Sequence, residues 1–183
     1  MRLRTKDIEE AESCRFLRPR DLFSADGTQN WLEAKEALAE LGITRIEPKK
    51  PWSPNPRLTT AYAKVLRTGA GFEDKHDEDK AETGWHEHVH YLQRQAIGRH
   101  RFNAQYLFVP RRRWALEMPA HRQQITVAVA QGATSLDIEK FAWSVTAKFE
   151  RGLLDNGYAI PMTRADENLT RRLLMEWGRA VRR

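Results

Sequence analysis

Apolar residues recur at helical spacing near the start of the chain. Four of them share one stripe, and a glycine that can stop the helix follows: Trp31, Ala34, Leu38, Leu41 and Gly42. The pattern predicts a helix over residues 28–41. A shorter helix is expected before it, at residues 6–14.

Two more segments, both in the last third of the chain, show the same period. From Ser135, the expected N-cap, four apolar residues fall on one face: Ile138, Phe141, Val145 and Phe149. Thr163 is expected to open the last helix. The buried stripe of that helix is predicted to be Leu169, Leu173 and Trp177.

Shorter runs of apolar residues predict strands. Residues 61–69 favour a strand slightly over a short helix, and residues 102–110 are rich in aromatic rings and end at a proline. Residues 125–132 alternate branched and small side chains, which is typical of a strand. A last short strand is expected at residues 158–160.

The histidine-rich residues 85–98 fit two structures. Apolar residues recur there at helical spacing, whereas the first half alternates as a strand would. With a helix at this place, residues 58–161 would run β-α-β-β-α-β. The chain is therefore predicted to be an α+β protein, with a possible ferredoxin-like (split βαβ) sheet at 58–161 flanked by N- and C-terminal helices.

A proline-rich stretch suggests a division into parts. Four of the eight prolines lie between residues 47 and 56, where they disfavour both helices and central strands. We expect a helical lead-in at residues 1–46, a basic linker at 47–57 and a basic α+β domain at 58–183.

The composition bounds the class of protein. Hydrophobic residues make up 40% of the chain and charged residues 31%, which is typical of a globular protein. No apolar run approaches the roughly 18 residues of a membrane span, and the first residues lack the apolar stretch of a signal peptide. A cytoplasmic protein without a membrane partner is expected. Cys14 is the only cysteine, which excludes an internal disulfide and a cysteine-based zinc site.

The charges are segregated along the chain. The net charge is +6, and residues 99–113 hold five arginines and no acid. Residues 73–82 instead hold six acids and two lysines, which predicts a solvated loop. A basic surface of this kind favours a polyanionic partner.

Arginines and aromatic rings are interleaved in the basic segment. Arginine binds phosphate oxygens with two parallel hydrogen bonds, and exposed rings stack on unpaired bases. The expected nucleic-acid contacts are Arg99, Arg101, Tyr106, Arg111, Arg112, Arg113 and Trp114, with Lys49 and Lys50 of the linker extending the surface. The alternative is that the rings are buried in the core and the arginines form a solvated turn.

Three of the six histidines lie within five residues, at His86, His88 and His90. A strand would project all three rings from one face, and a helix would pair His86 with His90 at i, i+4. Either geometry can hold a divalent metal ion, for which Mg or Mn is considered. Asp77, Asp79 and Glu87 are the nearest candidate carboxylates, and the alternative is an exposed polar face without a metal.

The segment His88-Val89-His90 resembles the His-hydrophobic-His strand of HUH endonucleases, the plasmid relaxases and replication initiators. The resemblance covers about ten residues. It implies a ferredoxin-like sheet, a divalent metal on the two histidines, and a tyrosine that attacks a DNA phosphate. No Tyr-x-x-Lys pattern occurs in the chain, so no nucleophile is assigned.

Three functions remain open from the sequence. The first is a non-catalytic protein that binds DNA or RNA, as a subunit of a nucleoprotein assembly. The second is a metal-dependent HUH-type nuclease or nickase. The third is an adaptor or inhibitor that docks on an acidic protein partner.

Overall fold

The computed structural model describes residues 3–13, 31–50, 52, 59–151 and 157–182. Most of the predicted linker, Cys14, and the turn expected at residues 155–156 lie outside the described residues. The division of the chain into a lead-in, a linker and a domain therefore stays a prediction.

The predicted α+β class is confirmed, because the described residues form seven helices and one small sheet. In chain order the elements are α1 (Thr5–Ser13), α2 (Trp31–Glu40), β1 (Arg45–Pro48), β2 (Thr60–Tyr62), β3 (Val65–Thr68), α3 (Asp77–Ile97), α4 (Arg99–Phe108), α5 (Pro110–Ala130), α6 (Ser135–Glu150) and α7 (Arg164–Val181). The strand order is β1-β3-β2, with β1 parallel and β2 antiparallel to β3.

Elements with a clear helical stripe or a local turn are confirmed. The predicted helices near residues 6, 31, 135 and 163 are all present, and the strand expected at 61–69 is the β2–β3 hairpin. Thr163 caps α7 through a capping box with Asp166. The cap of α6 lies one residue earlier than predicted, because Thr134 and Asp137 form the capping box there.

The two strands predicted in the middle of the chain are wrong. Residues 102–108 belong to α4, where Phe102 and Tyr106 stack one turn apart with their ring centroids 5.7 Å from each other. Residues 125–130 form the end of α5, which is buried on most of its circumference. A buried helix needs no polar face, so its branched residues resemble a strand pattern, and tertiary packing overrides their preference for strands.

No strand forms at residues 158–160 either, so the described residues do not form a ferredoxin-like sheet. The acidic segment also differs from its prediction. It begins as a turn, but α3 starts at Asp77 and places Asp77, Glu78 and Asp79 in its first turn. Acidic residues are stabilised at that end by the helix dipole.

Two apolar clusters form the core, and α3 and α5 pack against each other more extensively than any other pair of elements. One cluster joins α5 to α1, α6 and α7 around Trp114 and Phe149. The other joins α3 to α2 and the sheet around Trp85 and Leu66. A row of buried polar side chains lies between α3 and α5, and it forms the site described next.

Candidate metal centre

Buried polar residues face one another across the α3–α5 interface. His86 and His90 lie one turn apart on α3, and Glu117 and His121 lie one turn apart on α5. Residues four apart share a helix face, so each helix presents a pair of metal-ligand side chains to the other. All four residues are at most 8% exposed.

Three ligand groups form a compact triangle. Nε2 of His86 is 3.2 Å from Nε2 of His90. The Glu117 carboxylate faces both rings, with Oε2 at 3.3 Å from His86 Nε2 and Oε1 at 3.4 Å from His90 Nε2. Ligands at 2.0 to 2.1 Å from a tetrahedral ion are about 3.3 Å from one another. The three groups are therefore spaced as closely as the ligands of a tetrahedral metal site.

His121 adds a fourth candidate ligand. Its Nε2 is 3.8 Å from Oε2 of Glu117, the oxygen that also faces His86, and neither His121 Nε2 nor Glu117 Oε2 has a hydrogen-bond partner among the described residues. The ligand atoms of His86, Glu117 and His121 all lie within 4.8 Å of one another, so this buried group can hold a metal ion.

Two glutamines fix which nitrogen each histidine offers. Gln93 donates its amide to the carbonyl of Leu116 at 2.9 Å, so its oxygen is the group that faces His90 Nδ1, also at 2.9 Å. Gln124 places its oxygen 2.9 Å from Nδ1 of both His86 and His121. Because each Nδ1 must then carry the proton, the Nε2 lone pairs point toward Glu117. Hydrogen bonds of this kind orient metal-binding histidines.

The electrostatics of the site keep Glu117 ionised and His121 neutral. Burial works to raise the pKa of Glu117, but His90 and His86 outweigh it and hold that pKa well below its ordinary value. Burial, together with the nearby His86, lowers the pKa of His121 to about 3. Metal binding requires these two states. At His90, Glu117 outweighs burial and raises the pKa, so a metal that binds there displaces a proton.

Two tyrosines complete the surroundings of Glu117. The hydroxyl of Tyr106 donates to one carboxylate oxygen at 2.5 Å, and Tyr158 also hydrogen-bonds to the carboxylate. Burial and the charge of Glu117 raise the pKa of both phenols well above the usual value. Both rings therefore stay protonated and act as donors.

A cavity of about 200 Å³ opens beside these residues. Its wall includes His86 and His121 together with Gly69 and Ala70 of the loop after β3. The remaining lining residues are Thr59, Phe72, Lys75, Thr83, Glu87, Gln124, Lys148 and Tyr158. The candidate metal centre is thus buried and still reachable from the surface.

Glu87 is the buried carboxylate that lies in this cavity beside His86. One of its oxygens accepts a hydrogen bond from the backbone N–H of Ala61 at 3.0 Å, which ties it to strand β2. The side chain is 8% exposed. An ionisable group held in this way next to candidate metal ligands is a candidate general base.

The third predicted histidine lies elsewhere. His88 is on the opposite side of α3, packed between Trp85 and Tyr91. Burial lowers its pKa to about 4, so it is a neutral residue of the core. Because the segment is a helix, His88 and His90 do not present their rings to one ion, unlike the strand geometry that the HUH resemblance implies.

The sequence also contains a metal-binding pattern that includes a glutamate, which the spacing of the histidines alone does not reveal. Residues 86–90 read His-Glu-His-Val-His, the H-E-x-x-H pattern in which two histidines on a helix bind zinc beside a glutamate base. The sequence offers Asp77, Asp79 and Glu87 as the nearest carboxylates, whereas the candidate ligand in the structure is Glu117. Its signal is the Glu-x-x-x-His spacing of residues 117–121.

The predicted nucleic-acid contacts do not form one surface. Trp114 is fully buried and donates to Thr170 at 3.1 Å. Arg113 is 2% exposed and is bound by backbone carbonyls, including those of Leu107 and Tyr158. The prediction of exposed contacts was wrong for these two residues, because both hold the packing of α5 in place.

The other predicted contacts are more accessible. Arg99 is exposed with its guanidinium 4.4 Å from the centre of the Tyr62 ring, and Arg101 is also exposed. Lys50 is exposed and lies over Trp52. Four residues are partly buried, among them Tyr106 at the metal centre: Lys49, Tyr106, Arg111 and Arg112. Arg111 lies 3.7 Å from the Asp7 carboxylate.

No protein-family model matches the chain, and neither the curated proteins nor the solved structures contain a significant match. Over the described residues, no helix combines the length and the apolar character that crossing a bilayer requires.

Proposed function

We propose that this protein is a zinc-dependent hydrolase that cleaves peptide bonds. The observation that carries the proposal is the H-E-x-x-H pattern on α3, with its glutamate in the cavity and its two histidines in a triangle with Glu117. Two histidines and a glutamate are a ligand set of catalytic zinc sites, with one position left for water.

The donor set favours zinc over the magnesium or manganese considered from the sequence. Magnesium prefers an octahedron of oxygen ligands, whereas this site offers up to three imidazoles and one carboxylate. Imidazole nitrogens suit zinc, and the 3.2 to 3.4 Å triangle fits its tetrahedral geometry.

The residues around the cavity have distinct roles in the proposed reaction. Bound zinc would supply a Lewis acid and lower the pKa of water in the cavity. Glu87 takes a proton from the water as the water oxygen attacks the amide carbon. The C–N bond then breaks, and Glu87 passes the proton to the leaving nitrogen. Tyr158, which also lines the cavity, keeps its hydroxyl on Glu117 and so orients that ligand.

Replacement of the base separates chemistry from metal binding. Glu87→Gln should keep one zinc per chain, measured by elemental analysis, and should lower the cleavage rate by about 100-fold or more. Glu78→Gln, an exposed position on the same helix, is the matched control. Cleavage is read by mass spectrometry on a peptide library. Supercoiled plasmid and single-stranded DNA are incubated in parallel, because nicking with no peptide cleavage would favour the nuclease alternative instead.

The proposal fails on two outcomes. The first is a wild-type chain that takes up no zinc from a metal buffer. The second is a zinc-loaded chain whose peptide cleavage is unchanged by Glu87→Gln.

Nucleic-acid binding is a second candidate function, favoured by the exposure of Arg99 and Arg101. Replacing both arginines with glutamine should weaken binding of a single-stranded oligonucleotide and reduce its salt dependence. Arg164→Gln with Arg172→Gln, both exposed on α7, is the control of equal charge. Unchanged binding contradicts this candidate, and capture of an acidic protein after nuclease treatment supports the adaptor alternative.

A further inference from the structure

Two lysines from distant parts of the chain meet at the cavity beside the candidate metal centre. Lys75 lies in the turn before α3, and Lys148 lies on the last turn of α6. Both line the same cavity as His86 and Glu87. The fold therefore places two positive charges in the space where the proposed substrate would bind.

No ion pair neutralises these two charges. Within the described residues, no carboxylate is in ion-pair contact with either lysine, although Glu82 attracts Lys75 and Glu117 attracts Lys148 at longer range. Lys75 donates to the hydroxyl of Thr83 at 3.2 Å, which holds its ammonium without neutralising it. Loss of hydration lowers the pKa of Lys148, and the charge of Lys75 lowers it further. The two ammonium groups thus repel each other across the cavity.

An anion between the lysines would remove this repulsion. A carboxylate accepts charge-assisted hydrogen bonds from two ammonium groups at once. The cavity of about 200 Å³ has room for one side chain or chain end rather than for an extended polymer. Glu87 lines the same cavity, and its charge disfavours a second negative charge near the proposed scissile bond.

We propose that Lys75 and Lys148 select substrates that carry a carboxylate next to the cleaved bond. This inference rests on the proposed peptide hydrolysis for its catalytic consequence. The carboxylate has two possible sources in a peptide, which are an aspartate or glutamate side chain and the free C-terminus. Both present the same group, so the experiment must separate them.

The selectivity test compares matched peptides with the zinc-loaded protein. One arm compares glutamate with glutamine at the position beside the cleaved bond. The other arm compares a free C-terminus with a C-terminal amide. The wild-type chain should cleave the charged member of at least one pair at least about tenfold faster in kcat/KM, mainly through KM. The arm that shows the preference identifies the source.

The matching variants test whether the lysines cause that preference. Lys75→Gln with Lys148→Gln should reduce the preference to about onefold, mainly by raising KM for the charged peptide. Lys6→Gln with Lys140→Gln removes two exposed lysines elsewhere and should keep the preference. A preference that persists in the first double variant overturns the inference, as does a wild-type chain with no preference in either arm.

A binding measurement keeps the inference testable if no peptide is cleaved. N-acetylglutamate should bind the wild-type chain and should bind the Lys75/Lys148 double variant at least about tenfold more weakly, by calorimetry. N-acetylglutaminamide, which carries no carboxylate, should bind neither, and N-acetylalanine reports the chain-end carboxylate alone. Absence of cleavage with retained N-acetylglutamate binding counts against the hydrolase, whereas cleavage with equal binding of N-acetylglutamate and N-acetylglutaminamide counts against the carboxylate site.

Discussion

The two faces of α3 carry histidines with opposite surroundings. On the face toward α5, His86 and His90 meet a carboxylate, and glutamines hold their outer nitrogens. On the other face, His88 lies between aromatic rings, and its Nε2 has no partner among the described residues. All three are buried, so burial alone does not distinguish a candidate ligand from a core residue.

The two faces of α3 differ in the partners that surround their histidines. Burial, which the backbone of Leu41 offsets only in part, lowers the pKa of His88 to about 4. For His90 the same burial is outweighed by Glu117, and its pKa is raised. A buried polar group is costly unless something compensates it, and on the α5 side a carboxylate and the glutamines supply that compensation.

The largest effect is expected from a ligand of the triangle. His90→Asn should lower zinc affinity by more than about 100-fold, which exceeds the range expected for a residue that only orients a ligand. His121→Asn should lower it less, because His121 lies outside the triangle. Competition with a chromophoric chelator measures both affinities. A larger loss for His121 than for His90 would move the site to the group of His86, Glu117 and His121.

A smaller effect is expected from the glutamine that orients two histidines. Gln124→Ala removes the acceptor for Nδ1 of His86 and His121, so zinc affinity should fall by about 10- to 100-fold. Gln95→Ala, at an exposed position of α3, is the control. Unchanged affinity in the Gln124 variant would mean that the ring orientation is fixed by packing alone.

The sequence predicts the α+β class and the local helices because their signals are local. The stripe at Trp31 and the cap at Thr163 depend only on neighbours in the chain. The same reasoning fails in α5, since Ile125 and Val127 are buried by elements distant in sequence. Branched residues at such positions indicate that the segment is buried, and they do not indicate whether it is a helix or a strand.

The candidate site, too, is predictable from the sequence only where its signal is local. The H-E-x-x-H pattern of residues 86–90 is complete in the sequence, and so is the i, i+4 pair that it forms on a helix. Its pairing with Glu117 depends on how α3 packs against α5, which no spacing along the chain encodes. Arg113 and Trp114 were misplaced for that reason too, because they lie on the buried side of α5.

The smallest effect is expected on the opposite face of α3. His88→Leu should leave zinc affinity unchanged, because the side chain points away from Glu117 and contacts none of the candidate ligands by hydrogen bond.

The effect of His88→Leu on protein stability combines two opposing changes. The variant loses the hydrogen bond between His88 and the backbone of Leu41, worth about 1 kcal/mol. It also removes the buried nitrogen that has no partner, and an apolar side chain of similar size fills the space. The free energy of unfolding, measured in urea, should therefore change by less than about 1 kcal/mol at neutral pH. A zinc affinity that falls as far as in the His90 variant would show that both faces of the helix act on the metal, and the contrast between them would not hold.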